Sequence, residues 1–195
     1  DSAIFGGGTG SGGTVTLGED ITVGDLTFNA SGYTLAGGGR TLTLSNTTIS
    51  GTAGATISAN LAGTTGVTIT SGSASGSSTT LTLSGNNSYS GPTIISAASA
   101  TNGGQIVRLN SLNALGNSDE IRVGSGSGLL LGTGGTFGTG KTLTISGDGV
   151  GLAGAFYVVA DTNASWAGAL VLDGNARVAN QSGGTLTLSG PIQNG

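Results

Sequence analysis

The chain has no cysteine and no histidine, and it carries two prolines and one tryptophan in 195 residues. Without thiol or imidazole, thiol nucleophiles, histidine-based triads and ordinary zinc sites are excluded. Charged residues make up 7% of the chain, against about 25% in a typical globular protein. The five cations, Arg40, Arg108, Arg122, Lys141 and Arg177, are scattered, and the net charge is -4, so nucleic acid is not an expected partner. No apolar run approaches the roughly 20 residues of a spanning helix, and no charged and apolar leader precedes Asp1, so this segment is not expected to insert into a membrane. Scarce proline, with glycine off a strict third position, rules out a collagen triple helix.

What the chain does have is 41 glycines, 35% hydrophobic residues and a mean hydropathy of +0.21. Spaced aliphatic blocks of this kind can offset the entropy of ordering a glycine-rich chain. One phrase, Thr-Leu-Thr-Leu/Ile-Ser, recurs at Thr41 to Ser45, Thr80 to Ser84, Thr142 to Ser146 and Thr185 to Ser189. Alternation at period two describes a half-buried strand, with Leu42, Leu44, Leu81, Leu83, Leu143, Ile145, Leu186 and Leu188 inward and the threonines outward. Offsets of 39, 62 and 43 residues between the first leucines read as two, three and two turns of a unit of about 20. Asn86 to Ile94 also matches Asn163 to Val171 at a constant offset of 77, which reads as some four units and sets Tyr89 on Trp166 and Gly91 on Gly168.

β-Branched residues dominate the blocks and no segment keeps an uninterrupted helical period. Hairpins would call for frequent Asn-Gly or Asp-Gly turns, but most connections are Gly-Gly, Gly-Ser or Gly-Thr runs of variable length. The expectation is therefore an all-β chain folded as a right-handed parallel β-helix, about nine or ten coils of roughly 20 residues, in one domain over residues 1–195. Neither end carries a charged or proline-bearing cap, so the open strand edges point to neighbouring repeats end to end, within a longer repeat protein, or to self-association.

Leu-Thr-Leu-Ser-Gly followed by Asn-Asn-Ser-Tyr-Ser-Gly-Pro-Thr-Ile, Leu81 to Ile94, resembles the autotransporter-associated β-strand repeat. The opening Asp1 to Phe5 with Ile21 to Phe28 is similar to segments that precede such repeats in large bacterial surface proteins. The resemblance implies a right-handed parallel β-helix in a secreted or surface-displayed passenger. Asp161 to Trp166 departs from the consensus, with Trp166 where tyrosine is usual.

Candidate chemistry is confined to carboxylates and aromatics. Glu19, Asp20 and Asp25, then Asp119 and Glu120 near Arg122, and Asp173 near Arg177, are the groupings from which a polysaccharide-cleaving site could be built; each stands beside glycine or at a strand end, where turn chemistry is the simpler reading. Gly147-Asp148-Gly149 is too sparse in oxygen ligands for calcium. The glycine runs at Gly6 to Gly10 and Gly132 to Gly135 lack the Gly-Lys-Ser/Thr that opens a phosphate-binding helix. No cofactor or metal is expected. Trp166, Tyr89 and Tyr157 could stack on a glycan or meet a host protein at the cell surface, or Tyr89 and Trp166 could pack at equivalent corners of the coil. The sequence thus reads as a non-catalytic structural segment of an extracellular bacterial fibre or surface adhesin. The alternative is an adhesive module that binds glycan or host protein.

Overall fold

Each inward-facing run of the sequence needs a partner beneath it, and the computed structural model, which describes residues 1–7, 11–71, 78–97 and 104–195, supplies one by coiling the chain on itself. Every strand pair among the described residues is parallel. The first face is a nine-stranded sheet from Ala3–Phe5 to Ile192–Asn194, and the second is an eight-stranded sheet from Thr14–Thr16 to Val178–Asn180. The third side holds two separate three-stranded sheets. One comprises Ile21–Val23, Thr41–Leu44 and Asn60–Ala62, the other Gly135–Phe137, Asn163–Trp166 and Thr185–Leu188. The expected parallel β-helix is present.

The turns are longer and less even than a unit of 20. Following one inward position up the first face, Ala3, Leu26, Ile49, Ile69, Ile95, Val123, Ile145, Leu172 and Asn194 lie one over another, at steps of 23, 23, 20, 26, 28, 22, 27 and 22 residues. Eight turns therefore replace the expected nine or ten. At 4.7–4.9 Å per strand the coil is a rod of about 38 Å.

The core is a set of stacked columns. Leu26, Ile49, Ile69, Ile95, Val123 and Ile145 fill the first face, and Leu35, Ile57, Leu83, Leu109, Leu131 and Val158 fill the second; all are buried. Aromatic rings pack among the columns toward both ends. Phe5 stacks on Phe28 with centroids 4.8 Å apart, and Phe156 meets Trp166 edge-on at 5.6 Å. Gly138, at φ +72°, makes room for the indole, because a Cβ there would stand 2.6 Å from the Trp166 ring.

The facing read from the pentads holds: Leu42, Leu44, Leu81, Leu83, Leu143 and Ile145 are buried, while Leu186 and Leu188 in the last turn are partly so. Their mutual stacking does not hold. Thr41–Leu44 and Thr185–Leu188 lie in the two different sheets of the third side, Thr79–Leu83 on the second face and Thr142–Gly147 on the first. All three sides need the same in-and-out alternation, so the phrase specifies a strand and its facing but not which side it occupies. The 77-residue match is a true register, Thr93 over Ile121, Leu143 and Leu170, but it spans three turns rather than four.

Candidate functional site

The outer surface repeats the columns in hydroxyl form. On the second face Thr14, Thr34, Thr56 and Thr82 follow one another on successive strands. On the first face Thr27, Ser50, Thr70 and Ser96 do the same, with Thr27 Oγ1 and Ser50 Oγ 3.4 Å apart. Higher up the second face this column changes to Arg108, Leu130, Tyr157 and Ala179. Leu130 and Tyr157 point away from the core column yet are buried. Burial pushes the Tyr157 hydroxyl up, with the Arg108 charge opposing.

The aromatic candidates are corrected by their positions. Trp166 is 0% exposed, Tyr89 1% and Tyr157 2%, so none offers a ring face to a glycan or a protein. Trp166 donates Nε1–H to the Ala169 carbonyl at 3.3 Å, the partner that a buried indole requires. Tyr89 shares a hydrogen bond of 3.0 Å with Thr93 Oγ1, which donates to Ser118 Oγ at 3.0 Å; Ser118 Oγ in turn donates to the Glu120 carbonyl. Burial raises the Tyr89 hydroxyl to about 12, and its hydrogen bond with Thr93 works in the opposite direction. Trp166 and Tyr89 pack inside the third side, whereas Tyr157 lies on the second face.

The carboxylates do not converge. Asp20 Oδ1 accepts the Thr41 amide at 2.8 Å, and Asp25 accepts from the Thr48 amide at 3.3 Å and from Asn46 Nδ2 at 3.4 Å. Both stitch one turn to the next. Glu120 pairs with its neighbour Arg122 on the exposed first face. Arg177 pairs with Asp148 at 3.3 Å rather than with Asp173, and donates to the Leu152 carbonyl at 2.9 Å. Among the described residues no group of three or more Asp and Glu is placed to hold a metal ion. Part of the glycine run at Gly6 to Gly10 lies outside the described residues; in the other, Gly135 opens a strand.

Two side chains that sequence reading passed over carry more of the structure than any carboxylate. Asn87, 7% exposed, accepts the Leu61 amide through Oδ1 at 2.8 Å and donates through Nδ2 to the Ala114 carbonyl at 2.6 Å, so it joins three successive turns. Lys141 donates Nζ to the carbonyls of Gly116 and Ser118; desolvation lowers its pKa, with the Asp119 charge opposing. An asparagine beside another asparagine, in a break of the alternation at Asn86-Asn87, was the available signal for the first. Nothing local marks the second.

The two ends of the coil are the other distinct surfaces. Ile4, Val15 and Ile21 are exposed at one end and Val178 and Ile192 at the other. A shallow hollow of about 270 Å³ lined by Val178, Ala179, Asn180, Gly184, Thr185, Leu186 and Leu188 occupies the second end. In the interior of the coil these same positions are covered by the next turn.

The chain resembles the autotransporter adhesin BmaC of Brucella suis biovar 1 (strain 1330), with 50% identity over 56 residues. The match takes in 29% of this chain and 2% of that relative's length. No family model matches the chain, and no solved structure matches it significantly. The autotransporter resemblance read from the repeats is borne out by this relative together with the parallel solenoid.

Proposed function

We propose that this chain is a stiff, non-catalytic stretch of an extracellular bacterial surface adhesin or fibre, whose contribution is length, rigidity and a neutral, hydroxyl-rich surface. The observation that carries this reading is the unbroken first face, nine parallel strands backed from Leu26 to Ile145 by one buried apolar column. Each turn is satisfied only by the turns above and below it, so stiffness rises with the number of turns stacked. The adhesin relative supports a cell-surface setting. The scattered carboxylates, each bound to a backbone amide or a neighbouring cation or lying exposed, favour the non-enzymatic reading over polysaccharide cleavage.

The exposed apolar residues and open edges at both ends fit contact with neighbouring repeats, or with a second copy, end to end. An adhesive role for this segment would fall to the outer threonine columns, because Trp166, Tyr89 and Tyr157 are covered. Small-angle scattering tests the structural reading. The expected particle is a rod of about 38 Å that lengthens by about 4.8 Å for each turn added by duplicating one coil. A compact particle whose length does not follow the number of coils would overturn it. Binding of the folded chain to a glycan array, abolished by Thr34→Leu and Thr56→Leu with the melting temperature unchanged, would establish the adhesive alternative in its place.

A further inference from the structure

The third side keeps its strands near both ends of the rod and loses them between. Residues 85–91 and 111–118, which occupy this side in the two middle turns, run without a strand ladder. Main-chain bonds still tie the lower levels together: Ser88 N–H donates to the Leu61 carbonyl at 2.8 Å, Ser90 N–H to Gly63 at 3.0 Å, Asn87 N–H to Asn113 at 3.2 Å and Asn117 N–H to Tyr89 at 2.8 Å. From residues 111–118 up to Gly135–Phe137, no main-chain bond crosses among the described residues. The Lys141 ammonium spans that level instead, through the carbonyls of Gly116 and Ser118. On the two levels below, Asn87 supplies one cross-turn bond each with its amide group, to the Ala114 carbonyl and from the Leu61 amide. Through the same turns the first face continues Ile69, Ile95, Val123, Ile145 and the second Leu83, Leu109, Leu131 without a break.

We propose that this interrupted side is a hinge built into the rod, latched by Asn87 and Lys141, at which the coil opens and bends while its first two faces stay paired. Side-chain bonds and a few separate main-chain bonds hold this side where a ladder holds the others, and on the Lys141 level side-chain bonds stand alone among the described residues. A ladder opens only cooperatively, whereas a few isolated bonds around an irregular segment open singly. Bending toward the first or second face would stretch the third side, and the extension falls on the level that lacks main-chain bonds. A segment of a surface fibre built this way yields at a fixed place without coming apart.

Hydrogen exchange on the intact chain, resolved by residue, tests the hinge. The amides of Leu61, Asn87, Ser88 and Asn117 are expected to exchange at least about tenfold faster than those of Ile95 and Val123 in the same turns. Asn87→Ala and Lys141→Met, the latter keeping the aliphatic stem, are expected to speed exchange in residues 60–62, 85–91 and 111–118 by a further factor of about ten, with the first-face amides unchanged. Equal protection on all three sides of the unmodified chain would overturn the proposal. So would a Lys141→Met variant in which every face loses protection alike. Should Asn87→Ala not fold, the unmodified profile and Lys141→Met decide the matter.

Discussion

The first face and the third side both turn alternate residues inward where they form strands, yet one is a continuous nine-stranded sheet and the other is broken in the middle. The difference lies in what occupies the inward positions. On the first face they are aliphatic in almost every turn, so each strand finds a matching column below it. On the third side, the middle turns put Asn87, Ser118 and the Tyr89 hydroxyl inside, and these groups must find polar partners once water is gone. They do so in a relay of side-chain bonds, at the cost of the regular ladder. An apolar column permits any number of turns; a polar one fixes which turns meet.

That contrast can be broken from the apolar side first. Leu143→Asp places a carboxylate at a fully buried position of the first-face column and is expected to cost at least about 4 kcal/mol, enough to abolish a cooperative thermal transition. Trp166→Ala empties the third side where it is a true sheet; a loss of about 3–5 kcal/mol is expected in denaturant unfolding, and a loss under 1 kcal/mol would mean the indole is not core.

Tyr89→Phe probes the polar relay, with an expected cost of about 1 kcal/mol because Thr93 and Ser118 keep their own bond. It also carries a pH signature. The folded chain holds the Tyr89 proton up to about 12, above the value of 10.0 for an ordinary tyrosine. That contribution to stability is intact below about pH 10 and disappears as the pH rises toward 12. Tyr157, raised by burial, adds to the slope, whereas Lys141, lowered by desolvation, acts in the opposite sense only below its ordinary 10.5. Melting curves from pH 9 to 12 should therefore fall less steeply in Tyr89→Phe; identical slopes would remove the residue from the relay. Thr82→Ser, on the outer threonine column, is expected to change stability by less than about 0.5 kcal/mol, and a larger loss would mean that the hydroxyl columns contribute to folding as well as to the surface.

Much of this was legible in the order of residues, because alternation at period two reports facing directly, and facing is what a solenoid needs. Leu42, Leu81 and Leu143 were placed inside correctly. Which side each strand occupied was not legible. A strand of three to five residues looks the same on any side, and corners of variable length let turns range from 20 to 28 residues. The longer match of Asn86 to Ile94 on Asn163 to Val171 did recover the register, since it carries corner residues as well as a strand. Tyr89 and Trp166 proved to be equivalent positions of the core, and the surface role considered for them, and for Tyr157, fails on burial. Asn87 and Lys141 escaped notice because their partners lie 26 and 25 residues away, beyond the range of any local pattern.

The chain has no cysteine, so introduced pairs report register without background. Thr56 and Thr82 are neighbours in parallel register on the second face, and strands about 4.8 Å apart lie within reach of a disulfide. Under mild oxidation, Thr56→Cys with Thr82→Cys should close readily. Thr43→Cys with Thr82→Cys, equivalent by pentad but on different sides of the coil, should stay reduced. Closure of the second pair in place of the first would contradict the three-sided parallel coil on which the account stands.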